Sequence, residues 1–252
     1  MDKTCNEKKH KTNMLIITEG SQTEPKLLKQ LSRCFPALDN FEIYSYKTNI
    51  YDLYSYLEEY LINDNDIDGD ILQILMEREL NDSKRLVLQK HFSDILLIFD
   101  FEPQDHRYNF KNLQVLLNVF NESTENGKLY INYPMVESFR HFKSLNDEEY
   151  IERKVALKDI SKYKSLSANE SCIGNIGDLD KTKFIMIIDE NLKKTSHIIG
   201  SGCVYPDFDE LNEDLVQVAN KQNYHVLNNE FCYVLNTGLF FLPQYNSNWD
   251  NL

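Results

Sequence analysis

Three apolar runs in this chain of 252 residues end in carboxylates. Residues 96–105 read LLIFDFEPQD, so Asp100, Glu102 and Asp105 follow the run within six positions. Residues 13–20 read NMLIITEG and end at Glu19. Residues 128–134 read KLYINYP and are followed by Glu137. Carboxylates suit a hard cation such as Mg²⁺ or Mn²⁺; Mg²⁺ takes oxygen ligands at about 2.0–2.1 Å and keeps several waters. Residues i and i+2 of an extended chain share a face, so Asp100 and Glu102 are expected to approach one ion. Each acid also has a plain explanation, because turns collect acids and the chain has 40 of them. Asp105 reads as an Asx-type turn or cap. Glu137 stands where a helix should begin, where a negative charge is favoured.

The acids can converge only if the runs are parallel strands of one sheet. Ligand sites of open α/β sheets lie beyond the carboxyl ends of the strands. The order along the chain supports this. A strand ending at Glu19 is followed by SQTEPKLLKQLSRCF, whose apolar residues recur at helical spacing, with Thr23 as the expected cap and Pro25 in the first turn. Residues 41–48 read as a second strand, and 50–63 and 66–92 as helices with a break near Asn65 and Gly69. DILLIFD (94–100) reads as a central strand buried on both faces. Residues 110–123 form an amphipathic helix, 128–134 another strand, and VESFRHF begins a further helix. Alternating strands and helices predict a parallel α/β sheet flanked by helices over residues 13–145. Residues 146–252 are expected to be mostly helical. ERKVALKDISKYKSL, TKFIMIIDENLKKTSHII and DELNEDLVQVANKQ read as helices there, and NNEFCYVLNTGLFFLPQY as a helix or a strand. The aromatic run YDLYSYLEEYL reads as helix packing, and NTGLFF as core with a tight turn.

The net charge is −13. Unaided nucleic-acid binders are more often basic, because their affinity rests on neutralising phosphates. An acidic site filled with divalent cations escapes that argument, as does a subunit that borrows a basic surface. The five cysteines are widely spaced, with no CxxC, which points to reduced thiols rather than zinc. The polar start MDKTCNEKKHKTN, read as a basic tail over 1–12, lacks the apolar core of a signal peptide. No segment reaches the roughly 20 apolar residues of a membrane span. The expectation is a cytoplasmic protein with no membrane partner.

LIITEGSQTEP resembles the strand–Glu–Gly turn of Toprim domains, in the EGxxTEP form of the RloB-like group. ILLIFDFEPQD resembles the Toprim DxD motif, with Glu102 where the pattern has Asp. INYPMVESFRHF and VLNTGLFF resemble later motifs of defence-associated Toprim-like proteins. The Toprim likeness covers about 13–142, and the wider one runs on to about 242. It implies a Toprim, Rossmann-like sheet and a metal-dependent nuclease, hydrolysing DNA or RNA, that serves in anti-phage defence by abortive infection. Glu19, Asp100 and Glu102 would be the catalytic residues, and the same three with Glu137 the ligands of Mg²⁺ or Mn²⁺. Lys26, Lys29 and Lys111 are candidates to stabilise the reacting phosphorus, and Arg140 and His141 to reach a phosphate. Glu102 is one methylene longer than the usual Asp. Two other readings stand beside this one. One is a latent or non-catalytic subunit governed by an ABC-type ATPase or sensor partner; the chain has no GxxxxGK[ST] of its own. The other is a phosphotransfer enzyme for a small substrate such as a nucleotide.

Overall fold

The computed structural model describes residues 13–38, 40–202, 211–246 and 249, so the expected tail over 1–12 lies outside the described residues. The chain is α/β. Strand β1 (Met14–Thr18) is followed by helix α1 (Thr23–Cys34) and strand β2 (Phe41–Ser45). Strand β2 pairs parallel with β1. Residues 50–92 break up more than expected. Helix α2 (Ile50–Leu57) leads to a small hairpin of β3 (Leu61–Ile62) and β4 (Asp66–Ile67), then α3 (Ile71–Arg78) and α4 (Asp82–Leu88). The breaks have local causes. Asn63 and Gly69 have positive φ, and the side chains of Asp70 and Asn81 accept the first N–H groups of α3 and α4.

Strand β5 (Asp94–Asp100) is buried along its whole length, as its unbroken apolar run predicts. Helix α5 (Phe110–Val119) gives way to a two-residue strand β6 (Asn121–Glu122), which returns through a turn into β7 (Gly127–Asn132). The sheet order is β2-β1-β5-β7-β6, with only β6 antiparallel to its neighbour. The ends of β1, β5 and β7 therefore lie side by side on one edge. Thr18 stands beside Ile98, and Asp100 beside Asn132. After β7 the expected helix is a short 3₁₀ turn, Val136–Arg140.

The C-terminal part is mainly helical, with one exception. Lys154–Ala156, expected in a helix, forms strand β8, paired antiparallel with β9 (Phe231–Tyr233). Pairing with a distant segment overrides local helix preference here. Between them lie α6 (Tyr163–Glu170), α7 (Lys181–Ile199) and α8 (Leu211–Asn229). The FIMII run thus belongs to a helix. Short helix α9 (Phe241–Tyr245) follows β9.

Residues 234–242 are buried against the main sheet, and Tyr133 bridges Leu235. The side chains of α1, β1, β5, β7, α7 and α8 share one apolar core. The tyrosines of α2 serve packing: Tyr51 donates to the Phe101 carbonyl and Tyr56 to that of Ile74. No helix among the described residues is long and apolar enough to cross a membrane.

Candidate active site

The sheet edge gathers six of the acids: Glu19, Glu24, Asp100, Glu102, Asp105 and Glu137. Glu19 is the residue after β1. Its backbone N–H donates to the Ile98 carbonyl at 3.1 Å, and its Oε2 accepts the Asp100 N–H at 3.1 Å. Two strand ends 81 residues apart are thereby held together. Asp100 is the last residue of β5 and is buried, and Asn132 Nδ2 reaches its Oδ1 at 3.4 Å. Asn132 is in turn clamped by the closing segment, whose Gly238 N–H donates to its Oδ1 at 3.1 Å. Thr237 fixes that segment by donating to the Ile131 carbonyl at 2.8 Å.

Glu24 has a larger role than a favourable charge in a first turn. Thr23 is the first residue inside α1, not its cap; Gln22 holds the cap position and makes no side-chain bond there. Glu24 instead reaches back, and its Oε1 accepts the Gly20 N–H at 2.8 Å. A Cβ on Gly20 would meet the Glu24 carboxylate at 2.6 Å, so the glycine permits this close approach. Glu137 is buried on the turn after β7, with Lys164 Nζ 3.0 Å from its Oε1.

Glu102 departs from the expected geometry. Strand β5 stops at Asp100, and Glu102 has φ of +37°, so the two acids do not share the face of an extended strand. Positive φ is uncommon for a non-glycine residue and marks a constrained position. The Glu102 N–H donates to the Pro134 carbonyl, and its own carbonyl accepts the Asp105 N–H. Asp105 makes the expected Asx-type turn: its Oδ1 accepts the Arg107 N–H at 2.8 Å, and Asn49 holds its Oδ2 at 2.6 Å.

The electrostatics are those of acids without enough positive charge. Burial, then Glu102, Glu24 and Asp105, push the Glu19 carboxyl up to about 8, against the opposing Asp100 N–H. Burial and the charges of Glu19, Glu24, Glu137 and Glu102 push Asp100 well above the usual carboxylate range. Glu24 and Glu102 are also raised, chiefly by burial. The all-oxygen donor set has the chemistry of a hard divalent cation, which would supply the missing charge. The side chains are not arranged as a finished ligand shell. Among the described residues no three His, Cys, Asp or Glu side chains surround a common point.

The candidate cations divide. Lys26, Lys29 and Arg140 line one groove beside the acids, together with Arg33. Lys111 is exposed in the first turn of α5 and shares no contact with the acids among the described residues. His141 is buried, with Nδ1 3.0 Å from the Tyr163 hydroxyl and Nε2 3.2 Å from Glu170, so it faces no solvent-borne phosphate. The residues that sequence reasoning missed are Asn132, Gly238, Asn49 and Lys164. Asn132 had a signal, because it is a polar residue closing an apolar strand. Lys164 had none. No family model, curated protein or solved structure matches the chain.

Proposed function

We propose that the chain is a divalent-metal-dependent phosphodiesterase that hydrolyses nucleic acid, a Toprim-like nuclease of the kind used in anti-phage defence. The observation that carries the reading is the bond between Glu19 and Asp100. It joins two adjacent parallel strand ends inside a cluster of buried, charge-starved carboxylates. Perturbed acids at the carboxyl edge of a sheet are the expected mark of a functional site. The resemblance of the Glu19–Gly20 turn and of Asp100–Glu102 to Toprim motifs points the same way.

Glu19 and Asp100 would hold the ion, with Glu102 and Glu137 completing the acidic surround. When bound, such an ion offsets phosphoryl charge and makes water a better nucleophile. In the hydrolysis, water oxygen bonds to phosphorus, the bond from phosphorus to the leaving oxygen breaks, and a proton passes from the water to that oxygen. Glu19 is the carboxylate assigned to carry that proton. Asn132 and the Asp100 N–H keep the two principal acids in place.

A second reading is a latent subunit released by an ATPase or sensor partner. Its support is Lys164, whose ammonium occupies Glu137, and the unfinished ligand shell. The test is to incubate the full chain with single- and double-stranded DNA and RNA in Mg²⁺ or Mn²⁺, with a chelator control and folded Asp100→Asn. Cleavage is expected only with metal and is lost in the variant. Cleavage that survives the chelator or Asp100→Asn would reject the assignment. Inactivity of the wild-type chain, reversed by an ATPase partner, would favour the latent form.

A further inference from the structure

Next to the acids the surface changes sign. Lys26, Lys29 and Arg33 recur at i, i+3 and i+7 on α1, which puts them on one face. Arg140 approaches from the turn after β7, and residues 174–177 form the facing wall. Together they line an open groove of about 450 Å³. Its wall is built, because Gln30 of α1 donates to the Leu179 carbonyl at 2.7 Å and the Gly177 carbonyl at 3.4 Å. Ser171 holds the Arg140 carbonyl.

The four cations are unspent. None is ion-paired to a carboxylate among the described residues, and Arg33 donates to Gln30 Oε1 instead. Arg140 Nη2 reaches the Lys164 carbonyl at 3.4 Å, while its Nε is buried with no partner. Some exposed lysines elsewhere are paired, as Lys90 is with Glu42 and Lys143 with Glu149, whereas here four cations share one groove. In a chain with 40 acids and 27 lysines and arginines, this groove runs against the overall balance.

The groove meets the acidic edge at the turn after β7, where Glu137 and Arg140 share one 3₁₀ turn. Lys164 links them, with its amine on Glu137 and its carbonyl on Arg140. From Lys26 to Arg33 the helix rises roughly 10 Å at ~1.5 Å per residue. That length matches about three phosphates of one strand measured along a duplex axis, at roughly 3.4 Å each. Among the described residues no aromatic side chain lines the groove, so they offer bases nothing to stack on.

We infer that this groove binds the sugar–phosphate backbone of one nucleic-acid strand, without regard to base, and leads it to the carboxylates. The inference rests on the phosphodiesterase reading above and adds where and how the substrate is held. Its test is equilibrium binding of the full chain, in chelator, to short fluorescent oligonucleotides of several compositions, single-stranded and duplex, across a salt series. The variant is Lys26→Ala/Lys29→Ala/Arg33→Ala, all at exposed positions. Wild-type binding should be indifferent to composition. The variant should bind at least tenfold more weakly at moderate salt. Its plot of log affinity against log salt should be flatter by about 2, from roughly 0.7 per lost contact on a single strand. Whichever of the single-stranded and duplex probes shows the loss identifies the source of the strand. Unchanged affinity and slope on both probes would overturn the inference, as would a strong composition preference. Turnover of bis-p-nitrophenyl phosphate with Mn²⁺ separates the two readings. This small diester is too short to occupy the groove, so its turnover by the wild-type chain reads the acids alone. If wild type lacks it while the salt-dependent loss appears, the hydrolase reading fails and the groove stands.

Discussion

The carboxylate of Glu19 accepts the backbone N–H of Asp100 at 3.1 Å, across the seam between two parallel strands. Both acids are held above the usual carboxylate range, mainly by burial. Such an arrangement costs stability when no cation is bound, as functional sites often do. Asp100→Asn keeps the size and removes one buried acid. The metal-free variant is expected to be more stable than wild type by about 1 kcal/mol. Thermal melts with and without Mn²⁺ check this. Wild type should gain stability from the metal, and Asp100→Asn should not. An equal gain in both would show that the ion binds elsewhere.

Gly238 makes a sharper test of how the site is supported. A Cβ there would meet Ile98 Cγ2 at 2.8 Å and Asn132 Oδ1 at 2.9 Å, both inside the core. Gly238→Ala should cost about 1–3 kcal/mol through overpacking. It should also disturb Asn132 and, through it, Asp100. Gly177→Ala is the control, because a Cβ there meets nothing within 4 Å. Denaturant midpoints for the two variants should separate clearly. Equal midpoints would remove Gly238 from the support of the site.

Away from the site, Asp147 and Arg153 form an ion pair whose side chains are 4% and 6% exposed. Burial raises the Asp147 carboxyl, but bonds from Arg153 and the Lys143 N–H outweigh it and hold the group low. A depressed carboxyl stabilises the fold above its unfolded value of about 3.9. That stability is lost as pH falls through the folded value. Asp147→Asn should therefore be about 3 kcal/mol less stable than wild type near neutrality, since it strands a buried guanidinium. The gap should close as the pH is lowered toward about 3. Urea titrations at several pH values read this out, and a gap independent of pH would refute it.

The sheet and its acidic edge were legible because they rest on local signals. Uninterrupted apolar runs gave β1, β5 and β7, and parallel pairing then made Glu19 and Asp100 neighbours. What stayed hidden depends on distant partners. Strand β8 exists because Phe231–Tyr233 pairs with it. Lys164 meets Glu137 only after the chain has folded back through β8. The left-handed turn at Glu102 arises from bonds to Pro134 and Asp105 that no spacing rule announces. The groove was half visible. Lys26 and Lys29 stood out on α1, but its far wall lies more than a hundred residues away.

The clamp on Asn132 comes from Gly238, anchored by Thr237, on the segment that bridges Tyr133 through Leu235. Those residues leave the ribosome after all the strands of the main sheet have been made. A nascent chain can thus assemble β1, β5 and β7, with their acids, before the piece that steadies Asp100 exists. Chain order itself delays a finished centre until translation has passed Gly238. On the nuclease reading proposed above, a half-made chain would carry its acids without the clamp that steadies them.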